Sequence, residues 1–239
     1  CRAVDGVDFV LYPGETYGLV GESGSGKSTI GRSIIRLYNP TAGEISFDGM
    51  DISGKLSKRE NKRLRTEMQM IFQDPFSSLN PRQSVSEILC YPLLTRGFSR
   101  LAALEKANDI LEKVGLSSDV LEKFPHEFSG GQRQRIGIAR ALMLSPKILV
   151  CDEVTSALDV SVQAQVLKLL DELRKSLDLS LIFISHDMQV VKAFADRVLV
   201  MYLGETMEEG SVESVLRSPQ HPYTRALIRS IPTLDRGCP

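Results

Sequence analysis

The 239-residue sequence predicts an α/β fold: a mostly parallel sheet flanked by helices and interrupted by a helical insertion. Three observations predict it. Short apolar runs alternate with helical periodicity near both ends of the chain. A glycine-rich run, Gly21-Glu22-Ser23-Gly24-Ser25-Gly26-Lys27-Ser28-Thr29, stands between an apolar strand and the start of a helix. A long stretch of helical periodicity, residues 85–144, separates the two alternating regions.

Taken in order, Thr16 to Val20 reads as a buried strand leading into the glycine-rich loop. From Lys27 the apolar residues Ile30, Ile34, Ile35 and Leu37 recur at helical spacing until Asn39-Pro40 stops them. Glu44 to Phe47 reads as a strand running into the turn Asp48-Gly49, and Met68 to Phe72 as another buried strand. The helical stretch is broken at Gly97, Gly115, Pro125 and Gly130-Gly131. Alternation resumes with a strand at Lys147–Cys151, an amphipathic helix at Val160–Leu177 and a strand at Ser180–Ile184. A short helix after His186 and a strand at Arg197–Tyr202 complete it.

Bulk properties narrow the function classes. With 29 basic and 30 acidic side chains the net charge is near zero, so nothing global points to nucleic acid as a partner. No apolar run approaches the roughly 20 residues that span a bilayer, and no signal peptide opens the chain. The expectation is a soluble protein able to dock on a membrane protein. Cys1, Cys90, Cys151 and Cys238 lack metal-ligand spacing; Cys151 reads as a buried free thiol, which suits a reducing, cytoplasmic setting.

Three motifs carry chemistry. In the loop, Gly21, Gly24 and Gly26 let successive amides turn toward one centre, and the following helix adds its positive N-terminal end. Lys27 is expected to reach the β- and γ-phosphates of a nucleotide and Ser28 to place its hydroxyl on Mg²⁺. Such a pattern arises by chance in about 1% of chains of this length, and the strand and helix around it reduce that further. The second motif is the strand end Ile148-Leu149-Val150-Cys151-Asp152-Glu153. It delivers two carboxylates to the C-terminal edge of a parallel sheet, where ligands bind. Asp152 is expected to hold Mg²⁺ through water and Glu153 to act as general base. Alone, the pair would be a solvated strand end. The third is Phe128-Ser129-Gly130-Gly131-Gln132, opening a helix. In isolation it is an N-cap and turn; with a phosphate loop upstream it offers a second anion site, as if one nucleotide were sandwiched between two subunits.

These motifs, with Ser156-Ala157-Leu158-Asp159 and His186, follow the order found in ATP-binding cassette (ABC) transporter ATPases, and the resemblance runs from about Ala3 to about Ile231. It implies that Gln73 is the glutamine linking the γ-phosphate site and its metal to the transmembrane partner. His186 would contact the γ-phosphate, and Asp159 would close a dimer across the two sites. Catalytic roles would then fall to Glu153, His186, Gln73 and Lys27. Nucleotide binding would fall to residues 21–29, Gln73, Asp152, Asp159 and Ser129 to Gln132, and Mg²⁺ to Ser28, Gln73 and Asp152. Finer features resemble the oligopeptide, dipeptide and nickel permease branch, in particular its second, F-type, ATPase subunit. They are Gln73-Asp74-Pro75-Phe76-Ser77-Ser78-Leu79-Asn80-Pro81-Arg82, Pro125-His126-Glu127-Phe128 and His221-Pro222-Tyr223-Thr224-Arg225-Ala226-Leu227. The last stretch also reads as the start of a C-terminal helix.

Three departures stand out. The family's adenine-stacking aromatic belongs at or before the first residue, where Cys1 and Arg2 are not aromatic, so it is expected upstream; Tyr12 reads as packing. Val154 stands where the family usually has proline, which implies altered loop stiffness with the chemistry kept. Gly237-Cys238-Pro239 reads either as the start of a cysteine-rich extension or as the chain's end, and no iron–sulfur cluster is expected.

The resemblance therefore implies a P-loop NTPase with a RecA-like parallel core and a small N-terminal antiparallel β part. Its divisions would be 1–73 (first half of the core), 74–146 (helical subdomain) and 147–239 (second half with C-terminal helices). It implies ATP and Mg²⁺ as cofactors, and as partners a second ATPase subunit, identical or not, membrane permease subunits and an extracytoplasmic substrate-binding protein. The chain would sit at the cytoplasmic face of the membrane. Rival readings are an ABC ATPase acting outside transport and a non-hydrolysing ATP-binding module.

Overall fold

The structure is a computed structural model describing residues 3–74 and 78–230. Cys1, Arg2, the Pro75-Phe76-Ser77 part of the branch motif, Ile231 and Gly237-Cys238-Pro239 lie outside the described residues. The main sheet has six strands: β1 (Thr16–Gly21), β4 (Met68–Ile71), β5 (Ile148–Asp152), β6 (Ser180–Ser185), β7 (Arg197–Tyr202) and β8 (Glu205–Ser211). Their order is β4-β5-β6-β1-β7-β8; the first five run parallel and β8 pairs antiparallel with β7 at the edge. A separate antiparallel hairpin joins β2 (Ser46–Phe47) to β3 (Met50–Asp51). Its turn, Asp48-Gly49, has both φ values positive (50° and 73°), the geometry of a tight two-residue hairpin.

Both faces of the parallel sheet are covered, which is why its strands read as continuous apolar runs. Successive side chains alternate sides. Leu149, Cys151, Leu181, Phe183, Val198 and Val200 belong to one cluster. Val150, Ile182, Ile184, Leu199 and Met201 belong to the other, together with Tyr17, Leu19, Met70 and Ile30. Helix α1 (Lys27–Ile34) and the N-terminal residues Val4, Val7, Phe9 and Leu11 cover this second face. The first face is covered by α6 (Val160–Leu177), α7 (Met188–Phe194) and α8 (Val212–Arg217).

Helices α3 (Val85–Leu94), α4 (Arg100–Lys113) and α5 (Gly130–Leu142) form the helical region, and α9 (Pro222–Arg229) closes the described chain. Ile88, Leu89, Ala107, Ile110, Leu111, Ile136 and Ile138 are buried between the three, in a core continuous with that under the sheet. Each of these helices starts on a serine: Ser84, Ser99 and Ser129 accept an amide from their own first turn.

Two expected elements are shorter by two residues or more. The strand expected at Glu44–Phe47 is paired only over Ser46–Phe47. The first helix ends at Ile34, so Leu37 does not lie on its apolar face and is 55% exposed. Arg36 turns left-handed (φ 59°), and the amides of Arg36 and Leu37 bond back to the carbonyls of Ser33 and Arg32. That is a helix-ending turn usually built on glycine. The Arg36 guanidinium holds it by donating to the carbonyls of Ser53 and Gly54. Tyr12 is exposed and not packed in the core; its ring is faced by the Arg197 guanidinium at 5.7 Å. Cys151 is fully buried and free. Among the described residues, no helix is long and apolar enough to cross a membrane.

Candidate nucleotide site

Parallel strands deliver their C-terminal ends to one edge, and the site residues gather there. Gly21 ends β1 with φ 154°, and a Cβ on it would lie 2.1 Å from the carbonyl oxygen of Met201. Only glycine lets the chain pass β7 so closely and turn into the loop. Gly24 and Gly26 also have positive φ, 82° and 98°, and Gly26 opens α1 without a side-chain cap. The first amides of that helix, those of Lys27, Ser28 and Thr29, therefore have no partner within it.

Lys27 is buried, and its ammonium donates to the carbonyls of Gly21 (2.8 Å) and Glu22 (2.7 Å) and to Ser25 Oγ (3.2 Å). Burial pulls its pKa down, while Glu153, Asp152 and Glu22 pull it back. Glu22, Ser23 and Gly24 are exposed, and Ser25 is buried under the loop. Ser28 Oγ donates to Asp152 Oδ1 at 2.7 Å, so the loop and the end of β5 are joined.

Asp152 is fully buried. Burial raises its pKa; the Ser28 hydrogen bond and the Arg32 cation oppose that. Arg32 Nη2 stands 3.8 Å from Oδ2, and Oδ2 has no hydrogen-bond partner among the described residues. Arg32 is a site residue the motifs do not announce. The available signal was its place four residues after Ser28, hence on the same helix face.

The following residue, Glu153, takes a left-handed conformation (φ 48°), held by its amide on Ile184 O (3.0 Å) and its carbonyl under the amide of Ser156 (3.1 Å) and Ser156 Oγ (2.9 Å). A non-glycine residue in this region carries strain of about 1 kcal/mol or more. The turn aims the carboxylate at two partners. Gln73 Nε2 donates to Glu153 Oε2 at 2.9 Å, and His186 Nδ1 lies 3.4 Å from the same oxygen. Gln73 follows β4 and His186 follows β6, the two neighbours of β5. Val154 is buried in the core beneath.

Ser129 to Gln132 and Asp159 form their hydrogen bonds locally. Ser129 caps α5, with its hydroxyl accepting the Gln132 amide (3.3 Å) and Gln132 Oε1 accepting the Ser129 amide (3.0 Å). Gly131 lets α5 approach α6: a Cβ there would meet Val162 Cγ1 at 2.6 Å. Asp159 caps α6, accepting the Val162 amide (2.9 Å) and Ser161 Oγ (2.7 Å), bonds that hold its carboxyl below the usual range. Among the described residues, the hydrogen bonds of Ser129, Gln132 and Asp159 are all local, and none reaches residues 21–29. Within one chain, hydrogen bonds therefore join Ser28 to Asp152 and Gln73 to Glu153, beside His186. Among the described residues, the helix starts at Ser129 and Asp159 bond only within their own turns. Leu158, against which Gly130 lies, lines a cleft with Glu153 and His186.

A hard divalent cation fits beside Ser28 and Asp152. Ser28 Oγ and the orphaned, buried Asp152 Oδ2 are oxygen ligands, and Gln73 keeps its Oε1 as a further acceptor. No cluster of three or more His, Cys, Asp or Glu among the described residues is placed to hold a metal by itself. A donor set with a single carboxylate suits Mg²⁺, which commonly takes one or two carboxylates beside phosphate oxygens.

Residues 4–156 match the model of the "ABC transporter" family, and residues 207–238 that of the "Oligopeptide/dipeptide transporter, C-terminal region". The chain is 52% identical to the oligopeptide transport ATP-binding protein AppF of Bacillus subtilis, over 99% of this chain and 72% of the relative. It is also 52% identical to OppF of Escherichia coli, over 98% of this chain and 70% of the relative. Among solved structures, cbiO1 from Clostridium perfringens, part of the ABC transporter complex cbiONQ, superposes with a TM-score of 0.82 at 29% identity, covering 90% of this chain and 84% of its own. The ATP-binding cassette MJ0796, a dimer in a post-hydrolysis state bound to ADP and Pi, superposes with a TM-score of 0.78 at 29% identity, covering 88% and 90%.

Proposed function

This chain belongs to the ABC transporter family, and we propose that it is the ATP-hydrolysing subunit of an importer that takes up oligopeptides through a membrane permease. The observation that carries the reading is the placement of Glu153. Its strained turn points one carboxylate oxygen at both Gln73 and His186, beside a lysine-bearing phosphate loop. A carboxylate so oriented is suited to take a proton from a water attacking the terminal phosphate.

In this reading the amides of residues 24–29 and the Lys27 ammonium grip the phosphates. Ser28, Asp152 and Gln73 would hold Mg²⁺, which when bound neutralises charge on the β- and γ-phosphates. Glu153 accepts the proton of the attacking water while Gln73 and His186 keep its carboxylate in place. His186 is 56% exposed, so its ring is free to contact the γ-phosphate as well. The helix start at Ser129 to Gln132 serves the nucleotide on a second ATPase subunit. Hydrolysis then waits for the two subunits to close, because only closure brings the second set of amides to the charged transition state. Whether that subunit is a second copy or a different ATPase is set by the assembly.

The permease would receive the motion through the Gln73 loop and the helical region, taken as residues 74–146. Exposed Tyr91, Phe98 and Leu101 on that region suit a surface covered by a partner. A separate extracytoplasmic binding protein would select the peptide, and this chain would work at the cytoplasmic face of the membrane. The test is reconstitution with the permease in liposomes. Peptide uptake and phosphate release that require both ATP and Glu153 are expected; uptake unaffected by Glu153→Gln overturns the assignment.

A further inference from the structure

The motif His221-Pro222-Tyr223-Thr224 has no part in the chemistry above, yet each of its residues has a defined place. His221 caps α9, its Nδ1 accepting the Tyr223 amide at 3.2 Å. Pro222 takes the first helical position, where an amide would be unpaired in any case. Thr224 is fully buried. Upstream, the Glu208 carboxylate on β8 accepts the amides of Gln220 (2.9 Å) and His221 (3.0 Å), which fixes where the helix begins.

With its helix start pinned, Tyr223 packs its ring on Tyr202 at the end of β7, centroids 4.7 Å apart. Its hydroxyl accepts the amide of Glu22 at 3.3 Å. Glu22 is the second residue of the phosphate loop, and its carbonyl receives the Lys27 ammonium. Another bond from the same side reaches the loop: the Gly204 amide, in the β7–β8 turn, donates to the Ser25 carbonyl at 3.1 Å.

We infer that Tyr223 is a positioning residue for the phosphate loop. It holds the Glu22 peptide without touching nucleotide and so sets the loop's affinity for phosphate. A loop with three glycines has many conformations to lose when it closes on a ligand, and each bond made beforehand reduces that loss. The C-terminal region is thereby part of the nucleotide site. This rests on residues 21–29 being the ATP phosphate site.

Tyr223→Phe in the full-length protein keeps the ring on Tyr202 and removes the acceptor. Loss of one neutral hydrogen bond is expected to raise the Kd for MgADP, and the KM for ATP, about 3- to 10-fold. kcat at saturating ATP should change less than about twofold, and the melting temperature of the nucleotide-free protein should fall by no more than the few degrees that one hydrogen bond carries. Linkage also makes MgADP slow hydrogen exchange across residues 222–229 in the parent protein and less so in the variant. Wild-type MgADP affinity in Tyr223→Phe overturns the inference, as does a lowered melting temperature with affinity unchanged. Lys27→Ala, titrated alongside, tests the loop itself. If that variant binds MgADP like the parent, the loop reading fails, and the inference with it, whatever Tyr223→Phe does.

Discussion

Ser28 and Asp152, 124 residues apart in sequence, are joined by a 2.7 Å hydrogen bond between the phosphate loop and the end of β5. The bond uses Oδ1 and leaves Oδ2 buried without a hydrogen-bond partner among the described residues. A buried carboxylate oxygen without a donor is costly, and a cation relieves that cost. The pair ties two elements together, and in the proposed reading its free carboxylate oxygen is where Mg²⁺ would bind.

Ser28→Ala should accordingly weaken Mg²⁺ more than nucleotide. The Mg²⁺ concentration for half-maximal ATPase is expected to rise about tenfold or more, while ATP binding in EDTA changes little. Equal weakening of ATP binding with and without metal would remove Ser28 from the metal's ligand set.

Glu153→Gln should abolish steady-state phosphate release, by about 10²-fold or more, while ATP binding persists. Glutamine keeps the side-chain length and an oxygen for Gln73 and His186, so the fold of the turn should survive. It accepts no proton, so ATP-bound subunits should accumulate in the closed, dimeric form, visible by size-exclusion chromatography or light scattering. Hydrolysis near the parent rate would be incompatible with Glu153 as the base.

Much of this was legible in the sequence because the signals are local. A strand buried on both faces is an apolar run, as at Ser180–Ser185, and glycine in the loop answers a backbone requirement. Helix α2 (Lys58–Glu67) was not legible by periodicity, since Leu64 is its one buried residue. Its trace was the reciprocal cap between Ser57 and Glu60. Strand β8 escaped for a related reason: it is an edge strand of mixed exposure whose Glu208 and Glu209 look like loop residues. Glu209 is in fact tied to Tyr17 (2.7 Å) and Arg197 (2.5 Å). In the site, the meeting of Gln73, Glu153 and His186 depends on strand order, which no single segment encodes. The contacts of Arg32 with Asp152 and Tyr223 with Glu22 depend on tertiary packing in the same way.

Ser129→Arg should separate binding from turnover. Ser129 makes no bond to residues 21–29 of its own chain among the described residues, so MgADP affinity of the isolated subunit should stay within about twofold. In the assembled complex a long cation at the helix start displaces the second anion site, and turnover should fall by about 10²- to 10³-fold, the usual cost of losing preorganised donors. Full activity of the assembled variant would show that each subunit's site is complete without its neighbour.

Gly18 sets how closely α7 can lie on β1. A Cβ at this position would stand 2.7 Å from Val191 Cγ1 and 3.2 Å from Ala195 Cβ. Val191 is fully buried and branched at Cβ, so its rotamer has little room to yield. Gly18→Ala is expected to cost about 1–3 kcal/mol by overpacking, read as a lower urea midpoint with the slope unchanged. Val191→Ala alone should also destabilise, because it empties a filled position. Together the two should cost less than their sum, since the added methyl occupies the vacated space. Strict additivity would mean that α7 shifts as a body instead. In that event His186, two residues ahead of α7, should move with it, and Gly18→Ala should lower kcat as well as stability.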